Sequence, residues 1–267
     1  MRTGIRVVLQ GLRGLAAHHE LLGYMVYREI HARYRQSLLG IGWAIIKPVV
    51  TLTIFTVIFS YITRLSSDGL PYPLFAFAAL LPWTLFSTCV SAGIPSLTDQ
   101  ANLVSKIYFP REILPIAAII VSALDSLISF FFLGCLMLFY QVQLSWKVLY
   151  VVPILFIEAL LILGITLGLA MANVWYRDVT VGSALMLQLW MYLAPIIYPF
   201  SLVPEEFRGI YSLNPLVGIV EGFRSAVIKA ETPDMQLLAI SAIAGIFSFL
   251  IGYRVFKACE GDFADVI

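Results

Sequence analysis

Charge is what this sequence has least of. Asp, Glu, Lys and Arg together make up 12% of its 267 residues, about half the share usual in a soluble domain. With 60% hydrophobic residues and a mean hydropathy of +0.91, that scarcity argues against a water-soluble fold. Histidine is confined to His18, His19 and His31, and the three cysteines, Cys89, Cys135 and Cys259, lie in or beside apolar blocks. An odd number so placed implies no disulfide framework, and His18-His19 reads as solvated interfacial histidine rather than a metal site. HExxH, CxxC and GxSxG are all missing. None of the five lysines follows a glycine, so the GxxxxGK[ST] loop that cradles nucleotide phosphates is missing too. The chain therefore shows no machinery for enzymatic chemistry and cannot hydrolyse ATP by that route. The polar segments between its apolar blocks leave no room for a separate catalytic domain of ordinary size.

What is present is apolar sequence in six blocks, 41–61, 75–94, 113–140, 148–173, 181–198 and 237–256, each long enough to cross about 30 Å of hydrocarbon. The fold class predicted is an all-α polytopic membrane protein, a single permease-like domain over 1–267. Pro82 should kink the second span, and the third is long enough to require tilt. Gly164, Gly168 and Ala172 form a four-residue stripe suited to close helix packing within one copy. Arg2, Arg6, Arg13, Arg28, Arg33 and Arg35 precede the first span. Alternating the spans from a cytoplasmic start leaves twelve Lys and Arg inside and five outside, which puts both termini in the cytoplasm.

Three segments between spans carry more than connection. Drawn as a helix, 15–35 places Leu22, Met25, Val26 and Ile30 on one side and Glu20, Tyr24, Arg28, His31 and Arg35 opposite. It should lie along the inner membrane surface, with Glu29 and Arg33 paired at i, i+4 near the middle of the apolar side. The segment 95–110, bracketed by prolines and carrying Asp99, Gln100, Asn102 and Lys106, should hold a short cytoplasmic helix. The segment 199–233 is apolar in places but interrupted by Glu221 and Arg224, and it reads as a re-entrant or interfacial helix pair on the outer face. Two acids lie deep in apolar blocks, Asp125 in the third and Glu158 in the fourth, and each needs a partner, a proton or water. A proton relay and a hydrogen-bonded structural role both fit that pattern.

Over Arg28–Pro48, REIHARYRQSLLGIGWAIIKP, the chain resembles the permease subunits of ABC transporters that export O-antigen polysaccharides and teichoic acids. Similar patches follow in order: NLVSKIYFPREILP from Asn102, NVWYRDV from Asn173, YLAPIIYP from Tyr192, Asn214-Pro215 with Phe223-Arg224, and FKACEGDFADVI at the carboxyl end. The resemblance implies six transmembrane helices, a second identical copy, and two cytoplasmic ATPase subunits that hold the ATP and Mg this chain does not bind. It implies residence in a bacterial inner membrane, among its lipids, and no nucleic-acid partner. The implied cargo is an undecaprenyl-pyrophosphate-linked polysaccharide moved outward. Capsular polysaccharide or teichoic acid is the neighbouring alternative, a proton-coupled lipid or sugar flippase the more distant one. Glu29, Arg33, Asp99, Asn102 and Lys106 would then face the ATPase.

Guanidinium forks match phosphate oxygens, which makes Arg28 and Arg35 candidates for the lipid headgroup, against a plain anchoring role. Sugar rings present apolar faces, so aromatic platforms suit a sliding polymer. Trp83, Phe86, Trp190, Tyr192 and Tyr198 are the candidates, with an ordinary interfacial aromatic belt as the alternative.

Overall fold

The computed structural model describes residues 11, 14, 17–35, 42–62 and 67–267, and every regular element among them is helical. Arg2, Arg6, Arg13 and Arg64, residues 15 and 16 of the interfacial segment and residue 41 of the first span lie outside the described residues. Helix α1 runs His19–Tyr34, α2 Gly42–Phe55 with a π-helical continuation Thr56–Ile62, and α3 Tyr72–Gly93. Two 3₁₀ turns, Ile94–Ser96 and Thr98–Gln100, lead into the short α4, Ala101–Lys106. Then come α5 Ile113–Phe139, a 3₁₀ turn Trp146–Tyr150, α6 Val151–Trp175 and α7 Asp178–Tyr192. The pair α8 Glu205–Ser212 and α9 Pro215–Val227 precedes α10 Met235–Cys259, and a 3₁₀ turn Glu260–Asp262 leads to α11 Phe263–Val266.

Among the described residues five stretches are long and apolar enough to cross a membrane: Ile45–Ile62, Tyr72–Lys106, Ile113–Phe139, Trp146–Trp175 and Met235–Asp262. They answer five of the six spans expected. The block 181–198 does not form one long helix, because α7 has 15 residues, about 22 Å at helical rise, and stops at Tyr192. Pro195 explains the stop. It has no N–H to continue the ladder, and it pushes the preceding residue out of the α region.

Position within the bundle follows from how each helix distributes its apolar residues. Leu74 through Leu81 are buried on all sides, which places α3 in the centre, against α5, α6 and α9. Helix α2 is peripheral, with Leu52 its one buried residue among those described. The closest helix pair is α6 with α10. A Cβ at Gly164 would strike the backbone of Ser248 and Phe249, and one at Gly252 would strike the carbonyl of Gly164. The glycine stripe thus lets two backbones meet inside one copy, as its spacing suggests.

Most of the buried apolar residues among those described fall into two clusters. The larger surrounds α3 and reaches α9. The smaller joins Met25 of α1, Leu97 and Val104 of the 95–110 segment, Leu114 of α5, Leu167 of α6, Tyr253 of α10 and Phe263 of α11. That second cluster is the floor on which α1, the 95–110 segment and the carboxyl-terminal end stand.

Candidate functional site

The segment 95–110 is built as a projecting step. Pro95 ends the regular hydrogen bonding of α3, and Ser96 and Thr98 hydroxyls donate back to the carbonyls of Gly93 and Pro95 at 2.6 and 2.9 Å. Leu97 and Val104 anchor it from below, while Asp99, Asn102, Ser105, Lys106, Ile107 and Tyr108 are exposed, Tyr108 almost completely at 97%. The Asn173 amide donates to Thr98 Oγ1 at 3.2 Å and accepts from the Thr180 hydroxyl at 2.8 Å, knitting the step to the α6–α7 turn. The expected short helix is α4.

Arg33 does not pair with Glu29. Its Nη1 lies 2.5 Å from Asp125 Oδ2 on α5, 92 positions away in sequence. An i, i+4 surface pair contributes only about 0.2–0.5 kcal/mol, whereas an acid in an apolar span without a partner costs several times that, so the deeper acid takes the guanidinium. Glu29 instead lines a cavity of about 60 Å³ beneath α1, together with Arg28, Ser96, Asp99 and Gln100. Arg28 therefore turns towards the bundle, not towards the opposite side as the helix drawing suggests, because it lies three positions from buried Met25. Arg35 caps the end of α1 and is exposed. Arg35 is not among the residues that line the cavity.

Behind the step lies a clamp that sequence reasoning missed. The backbone N–H of Arg111 donates to Glu260 Oε1 at 2.8 Å, and its guanidinium donates to the Glu260 carbonyl. Lys257 Nζ bridges Glu112 Oε2 at 2.6 Å and Glu260 Oε2 at 2.8 Å, and Tyr253 donates to Glu112 Oε1 at 3.4 Å. Glu112 has no exposed surface. Burial pushes its carboxyl above the ordinary carboxylate range, and the hydrogen bond from Lys257 draws it only part of the way back.

The other end of the bundle is closed by α9. Arg224 is fully buried there, 2.5 Å from Glu221, donating to the Pro195 carbonyl at 2.8 Å and lying 3.7 Å from the centre of the Phe75 ring. It ties the irregular chain after α7 to the helix pair. Its signals in the sequence were an arginine inside an apolar run with an acid three residues earlier, and its place in the Phe223-Arg224 patch. Lys229 pairs with Asp68 at 3.1 Å, which brings the α2–α3 connection to the same end.

Three of the five aromatics adjoin, with ring centres 5.9 Å apart for Trp83 and Phe86 and 5.3 Å apart for Phe86 and Trp190. Trp83 and Phe86 lie on the central helix and pack in the core, Phe86 with no exposed surface. Position on α3, not chemistry, decides this for both. Trp190 lines an apolar cavity of about 280 Å³ between α3, α6 and α7, and its indole donates to Asn214 Oδ1 at 3.0 Å. Tyr192 is 55% exposed; Tyr198 donates to the Tyr192 carbonyl at 3.0 Å and accepts from the Tyr211 hydroxyl at 3.0 Å. Glu158 is fully buried on α6, and neither of its carboxyl oxygens has a hydrogen-bond partner among the described residues.

Known proteins are similar to this chain in sequence over most of its length. The sequence pattern of the ABC-2 type transporter family matches residues 20–228. The chain is 28% identical over 258 residues to an O-antigen export system permease protein, RfbA, of Myxococcus xanthus, covering 96% of this chain and 98% of that one. A Klebsiella pneumoniae RfbA is 24% identical over 249 residues, 93% of this chain and 95% of its own. The polysialic acid transport protein KpsM of Escherichia coli is 26% identical over 244 residues, 85% of this chain and 90% of its own.

Proposed function

The chain belongs to the ABC-2 type transporter family, and we propose that it is the membrane permease subunit of an ATP-driven polysaccharide exporter. The observation that carries this reading is coverage: relatives described as O-antigen export permeases align with it almost end to end, with no large insertion needed to host another activity. Two copies would enclose the path, and a separate nucleotide-binding subunit would dock on each, at the step formed by 95–110. Exposed Asn102, Lys106, Ile107 and Tyr108, set on a rigid apolar floor, support that position.

The cargo we propose is an O-antigen-like glycan on an undecaprenyl pyrophosphate carrier, moving from the cytoplasmic to the outer side of the bacterial inner membrane. Arg35, exposed at the end of α1, is the arginine open to the headgroup; Arg28 shares its cavity with two carboxylates, a poorer setting for a diphosphate. In this reading α7 and the chain behind it complete a sixth crossing, both termini are cytoplasmic, and α8 with α9 is the re-entrant pair at the exit. Tyr192, exposed beside that exit, is the aromatic best placed to meet sugar. A capsular cargo is the second reading, favoured by the likeness to KpsM.

The experiment is deletion of the gene in its host with the neighbouring sugar transferases intact. Surface glycan should disappear, lipid-linked glycan should accumulate inside, and the purified chain should bring an ATPase subunit with it. Unchanged surface glycan, with no ATPase bound, would overturn the proposal. The size and linkage of the retained glycan separate O-antigen from capsule.

A further inference from the structure

The carboxyl-terminal patch FKACEGDFADVI has no part in the transport path described above, yet it makes a cluster of polar contacts at the end of the bundle that carries the step. Lys257, Glu260 and Phe263 recur at three-residue spacing through the end of α10, the 3₁₀ turn and α11, so all three turn to one side. Phe263 is fully buried, with ring centres 5.3 Å from Phe256 on α10 and 5.6 Å from Trp175 at the end of α6. The guanidinium of Arg111 lies 5.9 Å from the centre of the same ring. Glu260 holds Arg111 by backbone and side chain, and Lys257 holds Glu112. Helix α11 packs directly against α4.

Two things follow from this placement. The step is attached along the chain to α3 in front and α5 behind and is bonded through Thr98 to Asn173 of α6, and the clamp adds a further attachment, to α10, at the residues where the step turns into α5. In addition, the tail covers the side of α4 that faces the bundle, while Asn102, Lys106, Ile107 and Tyr108 point away. A push on the exposed side of the step is therefore resisted by the tail. From α10 the displacement has a stiff route onward, because Gly252 and Gly164 put α10 and α6 backbone to backbone.

We propose that the segment 257–267 is a strut that backs α4 and passes its movement to the α10–α6 pair, with Lys257, Glu112, Glu260 and Arg111 as positioning residues. This rests on the reading that an ATPase subunit docks on 95–110. The four charges sum to zero, so the clamp holds without attracting outside ions, and the 18% exposure of the Lys257 side chain lets water replace a contact as the step moves. A strut of this kind governs how much transport each hydrolysis event yields, not whether hydrolysis occurs.

The test uses the full permease–ATPase complex in proteoliposomes loaded with the host's lipid-linked glycan, reading ATP hydrolysis and glycan export on one preparation. For Lys257→Met the expected result is a loss of about tenfold in glycan exported per ATP, with ATPase copurification and basal hydrolysis within about twofold of the parent, a size ordinary for a coupling free energy. Lys257→Arg, which keeps the charge and the bridge, should restore the parental ratio. If Lys257→Met does not assemble, Glu260→Gln, at a partly exposed position, carries the same reading. An unchanged ratio in the neutral variants overturns the strut, and so does a proportional fall of export and hydrolysis, which would make the tail a mere support of the fold. If the parent complex binds no ATPase or exports no glycan, it is the proposed function that fails, before the variants are compared.

Discussion

Each end of this bundle is tied by a cluster of opposite charges, and the two clusters are built differently. At the end closed by α9 Arg224 has no exposed surface, and it meets a carboxylate, a carbonyl and an aromatic face at once. At the end that carries the 95–110 step Lys257 and Glu260 keep 18% and 22% of their side-chain surface exposed, although Glu112 between them is dry. The difference teaches what each end can do. A dry cation must keep its partner, because separating them strands the charge away from solvent; a partly wet cation can part from its partner and be hydrated. The α9 cap is thus made to hold one geometry, and the clamp behind the step is made to yield.

Breaking the dry end should have the largest effect. Arg224→Met leaves Glu221 and the Pro195 carbonyl without their cation, at a cost of about 3–5 kcal/mol. Thermal unfolding of the detergent-purified chain should show the loss, and Arg224→Lys should recover only part of it, since a lysine cannot make the forked contacts and stack on Phe75 together. The seam that joins the ends comes next. Gly164→Leu drives a side chain into the Ser248–Phe249 backbone, at about 1–3 kcal/mol, and should lower the melting temperature. Gly182→Leu, at a glycine with open space around it, should do much less.

The half-wet end should respond more mildly. Lys257→Met should cost about 1–2 kcal/mol in stability, smaller than the loss at Arg224; an equal loss would erase the contrast between the ends. Its pH response sharpens the comparison further. Burial raises the Glu112 carboxyl, so the folded chain holds that proton more tightly than the unfolded chain does. Stability from this group is full below the unfolded carboxylate range and is lost as pH rises through the raised one. Melting temperatures taken across mildly acidic to neutral pH should therefore slope less in Glu112→Gln than in the parent. The smallest effect belongs to Asp125→Asn. Its pair with Arg33 is about a third exposed on both sides, which limits the loss to under about 1 kcal/mol in the same melts.

The arrangement of spans was legible because it depends on local composition: about 20 apolar residues in a row must leave water whatever surrounds them. The short helix in 95–110, the helix pair in 199–233 and the glycine seam were legible for the same reason, each being written in neighbouring residues. The end of α7 at Pro195 was legible in principle, but a hydropathy run does not register one missing N–H. Partners were another matter. Arg33 could be seen beside Glu29 on a helix drawing, yet it went to Asp125, because which acid lies within reach depends on how α1 settles on α5. Trp83 and Phe86 carry the chemistry of a sugar platform and became core, since α3 happens to be the helix surrounded by the others. Glu112, Lys257 and Glu260 meet across about 145 residues of chain, and no spacing rule records that. The sequence by itself determined that this chain lives in a membrane and where five of its apolar spans run, because those are properties of segments taken singly. Only the tertiary structure decided which charges are dry, which are shared and which stay exposed, because burial and pairing belong to the space between segments.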